Sequence, residues 1–286
     1  MKFLNIIFTH NRNNVMIKSL DSIFNNTLIK ADKTIIIDDN SNEETKQYLL
    51  NFINENKSLN IDLFTNNQNE GYARNYWKAF NLLKFYNPEY VFFIESDYIF
   101  RKNYLEECFE LFDKLPDLFA VKGFAHKEYY NRAKIIPWFR DATIEKFNEP
   151  LRSWQNLYQP LVINTKYGNI QYMYGSHACG TILLNWEKIN SVSTYNIDRH
   201  ILRACKNNEY NNIINDGLIS CLYAKIWDDY FNLRKNRNNE SGIAFVSDVS
   251  IATHLNSGGI NHDGILEEGY STVTANFPED YKNFKR

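Results

Sequence analysis

Glu95, Ser96 and Asp97 follow directly on the apolar run Tyr90-Val91-Phe92-Phe93-Ile94. Such a run reads as a buried strand, so two carboxylates two residues apart leave its end and can converge on one hard cation. Mg²⁺ and Mn²⁺ favour carboxylate and phosphate oxygens, and commonly complete their shells with substrate phosphates. A cation held there would bind a diphosphate and stabilise it as a leaving group. Acids after strands are also ordinary solvated turns, so the tripeptide alone leaves both readings open.

Other polar clusters have the same double character. Asp38-Asp39 closes a second apolar run, yet Asp-Asp-Asn-Ser is also a turn and helix cap. In Asn69-Glu70-Gly71-Tyr72-Ala73-Arg74-Asn75, Gly71 permits a tight loop. Arg74, on the helical turn that follows, would face a base, a phosphate or only solvent. Thr9-His10-Asn11-Arg12 follows the first apolar run. His177 lies within Tyr174-Gly175-Ser176-His177-Ala178-Cys179-Gly180, whose glycines allow close backbone approach to a ligand or a bend in a strand.

The elements that must position these groups alternate. Strands are predicted at residues 3–8, 34–37, 61–65 and 90–94, and helices over 15–24, from Ser41 to about Asn54, from the 69–71 loop to about Tyr86, and from Asn103 to Lys114. Ser41 with Glu44, and Asn103 with Glu106, form capping-box patterns. The alternation predicts an α/β fold, a mostly parallel sheet flanked by helices. Ligands of such sheets gather at the carboxyl ends of the strands, which is where Thr9-His10-Asn11-Arg12, Asp38-Asp39-Asn40 and Glu95-Ser96-Asp97 fall. After Val121 the pattern breaks down. Residues 124–174 read as irregular and aromatic-rich, helical patterns return at 185–190, 197–206 and 213–226, a late strand is expected at 243–249, and residues 255–286 read as loop and tail.

Bulk properties exclude several classes. The chain has 286 residues, 44% hydrophobic and 23% charged, with a formal net charge of −2. No basic surface advertises a nucleic-acid partner. Cys108, Cys179, Cys205 and Cys221 form no CxxC pair, which predicts reduced thiols rather than a disulfide framework or zinc site. The opening MKFLNIIFTHNR lacks the length and cleavage site of a signal peptide, and no run approaches the roughly 20 apolar residues of a membrane span. The expectation is a cytoplasmic protein without a transmembrane segment, compatible with peripheral attachment to a membrane.

The ordered set is more specific than its parts. Thr9-x-Asn11-Arg12, Ile37-Asp38-Asp39-Asn40-Ser41, Asn69-x-Gly71-x-x-Arg74-Asn75 and Glu95-Ser96-Asp97 together resemble the family 2 glycosyltransferases of GT-A fold. The likeness runs over about residues 3–115 and returns around 175–184 and 213–223. It implies a single GT-A domain, with residues 1–123 binding a nucleotide sugar, 124–254 forming the acceptor side as an irregular elaboration, and 255–286 a loop and tail. It further implies inverting transfer of a sugar from a nucleoside diphosphate donor to a glycan, lipid-linked or protein acceptor.

By position, the resemblance puts Thr9, Asp39 and Arg74 in the nucleoside pocket. Asn11, Arg12, Asp38, Gly71 and Ser96 stand beside them as donor-binding candidates. Asp39 would accept from the uracil ring nitrogen, hence UDP. Asp97, helped by Glu95 where the family often has Asp, would hold Mn²⁺ or Mg²⁺, with His254 as a third ligand or a diphosphate contact. Inversion needs a base for the acceptor hydroxyl. Asp216, in Ile214-Asn215-Asp216-Gly217-Leu218-Ile219, fits that place, with Asn215 where the family has Glu. An acid at a helix start is also favourable by the macrodipole alone, and Asp198 and Asp141 are the fallbacks. The Glu95 and Asn215 departures keep open a catalytically degenerate domain that binds or scaffolds glycans. A haloacid-dehalogenase-like phosphatase would need a nucleophilic aspartate where Glu95 stands. A sugar nucleotidyltransferase would need a Gly-rich loop after the first strand, and Thr9-His10-Asn11-Arg12 has no glycine.

Overall fold

A computed structural model describes residues 2–11, 13–116, 118–123, 161–175, 181–192, 243–246 and 252–254. In chain order its elements are β1 (Phe3–Thr9), α1 (Asn13–Asn25), β2 (Lys33–Asp38), α2 (Glu43–Glu55), a 3₁₀ turn (Lys57–Leu59), β3 (Ile61–Thr65), α3 (Tyr72–Tyr86), β4 (Tyr90–Glu95), β5 (Tyr98–Phe100), α4 (Tyr104–Lys114), β6 (Ala120–Gly123), β7 (Leu161–Thr165), β8 (Gly168–Gly175), β9 (Ile182–Asn185), α5 (Trp186–Val192), β10 (Ile243–Val246) and β11 (Ala252–His254). Among the described residues one sheet runs β3-β2-β1-β4-β9-β6-β10-β8-β7, and β5 pairs with β11 in a second. β3, β2, β1 and β4 are mutually parallel. β9 then runs antiparallel to both β4 and β6.

The period-2 alternation of β1 explains the layers. Phe3 and Ile7 share one face with Ile36 and Phe92, and onto it pack Met16, Leu20 and Ile23 of α1, Leu49 of α2 and Leu105, Leu111 and Phe112 of α4. Phe8 points the other way. It stacks on Tyr76 of α3 at 4.9 Å, Tyr76 lies 5.0 Å from Phe93, and Phe80 bridges Phe93 (5.6 Å) and Trp186 (5.4 Å). Ring pairs at these separations add to the burial of their area, and this chain of rings fixes α3 and α5 to the sheet. Both faces of β1 are therefore covered, which is why its sequence reads as an apolar run interrupted only by the buried Asn5 before it ends at Thr9. Cys108 is buried on α4 and unbridged; burial, with the Glu107 carboxylate adding, pushes its thiol pKa up.

Three expectations are corrected. The α2 cap is Asn42, whose side chain accepts from the Thr45 N–H at 2.9 Å, not a Ser41–Glu44 box. Ser41 Oγ instead accepts the Asn11 N–H at 2.9 Å. Asn103 begins α4 in the left-handed region without a side-chain cap. Its expected partner Glu106 turns away to accept from Thr27 Oγ1 (2.9 Å) and the Leu28 N–H (2.6 Å). The stretch read as irregular contains an antiparallel hairpin, β7 with β8. Helices expected at 197–206 and 213–226 lie outside the described residues, as do 247–249 of the late strand. Among the described residues no helix is long and apolar enough to cross a membrane.

Candidate functional site

Parallel pairing puts the polar ends of the strands side by side. Thr9 is opposite Asp38 and Phe8 opposite Glu95. The ladder then continues past the strands: the Asp39 N–H donates to Thr9 O (2.9 Å), the Ser96 N–H to Phe8 O (3.0 Å) and the Asn66 N–H to Asp38 O (2.8 Å). Thr9, Asp38, Asp39, Glu95 and Ser96 thus share one rim, as the strand logic requires.

Asp39 organises that rim. One carboxylate oxygen accepts from Asn66 Nδ2 (2.8 Å) and the Glu70 N–H (2.7 Å), and the other accepts the Gly71 N–H (2.9 Å). An ionised carboxylate offers about four acceptor positions, of which three go to the β3–α3 loop. Gly71 takes φ 77° and ψ 170°, a conformation essentially reserved for glycine, and this turns its N–H onto Asp39. Asn66 Nδ2 also donates to Asn75 Oδ1 (2.8 Å), and Lys78 Nζ reaches Asn66 Oδ1 (2.5 Å) and Glu70 Oε1 (2.9 Å). Asp38 is fully buried, its oxygens accepting the Ser41 N–H at 3.2 and 3.3 Å, so it shapes the turn after β2.

A second layer of bonds joins the loops. His10 Nδ1 meets Asp39 O at 2.7 Å, and its Nε2 lies 3.1 Å from Asn11 Nδ2 and 3.3 Å from Asn69 Nδ2. Asn11, at φ 49°, accepts the Asn42 N–H on Oδ1 at 2.6 Å. Asn11, Asn40, Asn60, Asn87 and Asn103 all have positive φ, the region Asn tolerates better than other side chains. At these positions asparagine serves the turn.

On the β4 side, Asp97 is 2% exposed and Ser96 is buried, whereas Glu95 is half-buried. Asp97 is not a solvated strand end. The Glu95 N–H donates to Thr181 Oγ1 at 3.0 Å, so the residue before β9 fixes the start of the acidic turn. β11 pairs antiparallel with β5 so that His254 stands opposite Tyr98, the neighbour of Asp97. Among the described residues no three His, Cys, Asp or Glu cluster as a complete metal site. Arg74 is exposed on the first turn of α3. Arg12, His177, Asp141, Asp198 and Asp216 lie outside the described residues.

His10, Asn66, Lys78 and Thr181 escape the motif reading. Asn66 had a signal: it follows β3 as Asp39 follows β2. Thr181 had none, since its role depends on β9 pairing with β4.

A parallel half-sheet with its acids at the carboxyl rim, continued by an antiparallel strand beyond the acidic turn, is the GT-A glycosyltransferase fold. Residues 5–181 match the model of glycosyl transferase family 2, and the chain belongs to that family of transferases. Among solved structures it is similar to S. aureus TarS, at 17% identity and TM-score 0.50, covering 90% of this chain and 37% of that one. Weaker likenesses are to GalNAc-T7 with UDP, GalNAc and Mn²⁺ (10% identity, TM-score 0.48, 88% and 43% covered) and to a mannosyltransferase of Pyrobaculum calidifontis with GDP-Man and Mn²⁺ (18%, 0.39, 46% and 37%). This chain thus spans less than half the length of each of these three. No curated protein matches it at a significant level.

Proposed function

We propose that the chain transfers a sugar from a nucleoside diphosphate donor, a UDP-sugar, to an acceptor hydroxyl with inversion at the anomeric carbon. The observation that carries this reading is the Asp39 carboxylate. It is held by two backbone N–H groups and one amide at the strand rim, with one acceptor position left over. That position suits the imide N–H of a uracil ring. Thr9, Asn11, Arg12, Gly71 and Arg74 complete the donor side in this reading, with Asp38 and Ser96 shaping its walls.

The acidic turn suits a divalent cation, Mn²⁺ or Mg²⁺. Two carboxylates, Asp97 and Glu95, leave most of the shell for phosphate oxygens, as such ions prefer, and the register of β11 brings His254 alongside. When bound, the ion would neutralise charge growing on the departing diphosphate. Asp216 is the proposed base, taking the proton of the acceptor hydroxyl as its oxygen attacks the anomeric carbon. The acceptor is a glycan, lipid-linked or protein hydroxyl, and residues 124–254 form the acceptor side.

A screen of nucleotide sugars for hydrolysis and transfer, with Mn²⁺, Mg²⁺ or EDTA, tests the reading. UDP-sugars should turn over with metal only. Asp97→Asn, which preserves the shape of a nearly buried side chain, should slow turnover by about 10²-fold or more, since several kcal/mol of charge stabilisation are lost. Undiminished turnover in that variant would remove the metal assignment.

A further inference from the structure

His10 belongs to none of the donor, metal or base assignments, yet its ring meets three loops of the rim. Its Nδ1 faces the Asp39 carbonyl at 2.7 Å, an acceptor only, so Nδ1 carries the proton. Its Nε2 faces the amide nitrogens of Asn11 and Asn69. Neither amide is free to turn over. Asn11 Oδ1 takes the Asn42 N–H at 2.6 Å, and Asn69 Oδ1 takes the Gly71 N–H at 3.0 Å. Both therefore present N–H groups, and Nε2 must accept. The bonds thus select the Nδ1–H tautomer, and through it the ends of β1 and β2 and the β3–α3 loop are joined at one ring.

We propose that His10 is a positioning residue which, as the Nδ1–H tautomer, latches these three segments in the arrangement that presents Asp39 and Gly71 to the donor nucleoside. The inference rests on the donor reading above for its consequence but not for the latch itself. The ring touches Asp39 through its backbone carbonyl alone, so the carboxylate stays turned toward Asn66, Glu70 and Gly71. Loss of the ring would release Asn11 and Asn69, and with Asn11 the Asn42 amide, while the Gly71 N–H keeps its bond to the Asp39 carboxylate and β1 and β2 stay packed.

Nitrogen NMR of the wild-type imidazole, amide hydrogen exchange and UDP titration on the full chain test this together. The Nδ1–H tautomer is expected, and an Nε2–H form overturns the proposal without any variant. In His10→Ala, the Asn42 amide should exchange about tenfold faster, the worth of one or two neutral hydrogen bonds, with Ile7 and Ile36 unchanged. UDP should bind about three- to tenfold more weakly. His10→Asn restores a donor near Nδ1 and His10→Gln an acceptor near Nε2, so each should fall between wild type and His10→Ala. Unchanged exchange at Asn42 overturns the latch whether or not UDP binds. Faster exchange in a protein whose wild type ignores UDP keeps the latch and removes the donor reading. Faster exchange with UDP affinity equal in all variants overturns the positioning role.

Discussion

At Gly71 the backbone lies at φ 77° and ψ 170°, where any Cβ costs about 1–3 kcal/mol. The N–H that this conformation aims at Asp39 is one of three bonds holding the carboxylate. Gly71→Ala should therefore lower stability by about 1–3 kcal/mol and weaken UDP binding, because relaxing the strain turns the N–H away and lets the carboxylate move. Denaturant unfolding and UDP titration check it, and unchanged values of both would mean that the loop accepts a side chain there. Asp216 is a different kind of residue, proposed for a proton and not for a shape. Asp216→Asn should leave UDP affinity intact and slow transfer by about 10²–10⁴-fold, the usual share of general base catalysis. If it only places negative charge at a helix start, the same variant loses about 0.3–1 kcal/mol of stability and keeps its rate. Measuring rate, affinity and stability on one protein separates the two roles, and a fully active enzyme moves the search to Asp198 and Asp141.

The first helices show how an element boundary can be mistaken by one residue. Ser41 and Glu44 have the spacing of a capping box, but the Ser41 hydroxyl is taken by the Asn11 N–H from another loop, and Asn42 caps α2 instead. Asn42→Ala should cost about 1 kcal/mol, whereas Glu44→Ala should cost little, and thermal unfolding of the two variants decides between the caps. The same logic separates what was legible from what was not. β1, β2 and β4 are readable because burial on both faces leaves apolar runs. β5 and β11 have three residues each, too few for any period, and exist because they pair with each other. β7 lies at the sheet edge with Val162 exposed, so the contrast between its faces is weak and its run reads as irregular. The rim acids were legible because parallel strands deliver their ends to one place. Thr181 was not, since it acts through a partner 86 residues away.

At the scale of the molecule, the rim gathers groups from distant parts of the chain. β1, β2 and the β3–α3 loop supply one side, β4 the acidic turn, and β11 returns from beyond residue 250 to pair beside that turn. A donor held by Asp39 at its base and by a cation at its diphosphate would bridge these parts and bind only the folded chain. Preferential binding stabilises by RT ln(1 + [L]/Kd), about 2.7 kcal/mol at a hundredfold excess over Kd. For chains of this size that corresponds to a rise in Tm of several degrees. The two halves of the contact are separable by experiment. Uridine alone should shift Tm weakly and without regard to metal, because it engages only the Asp39 side. UDP with Mn²⁺ should shift it by the full several degrees, and EDTA should reduce the UDP shift to the uridine level. Asp97→Asn should behave in Mn²⁺ as wild type does in EDTA, tying the missing increment to the acidic turn. Equal shifts from UDP with and without EDTA would mean that the diphosphate is held by side chains alone, and the role of Glu95, Asp97 and His254 would have to be sought elsewhere.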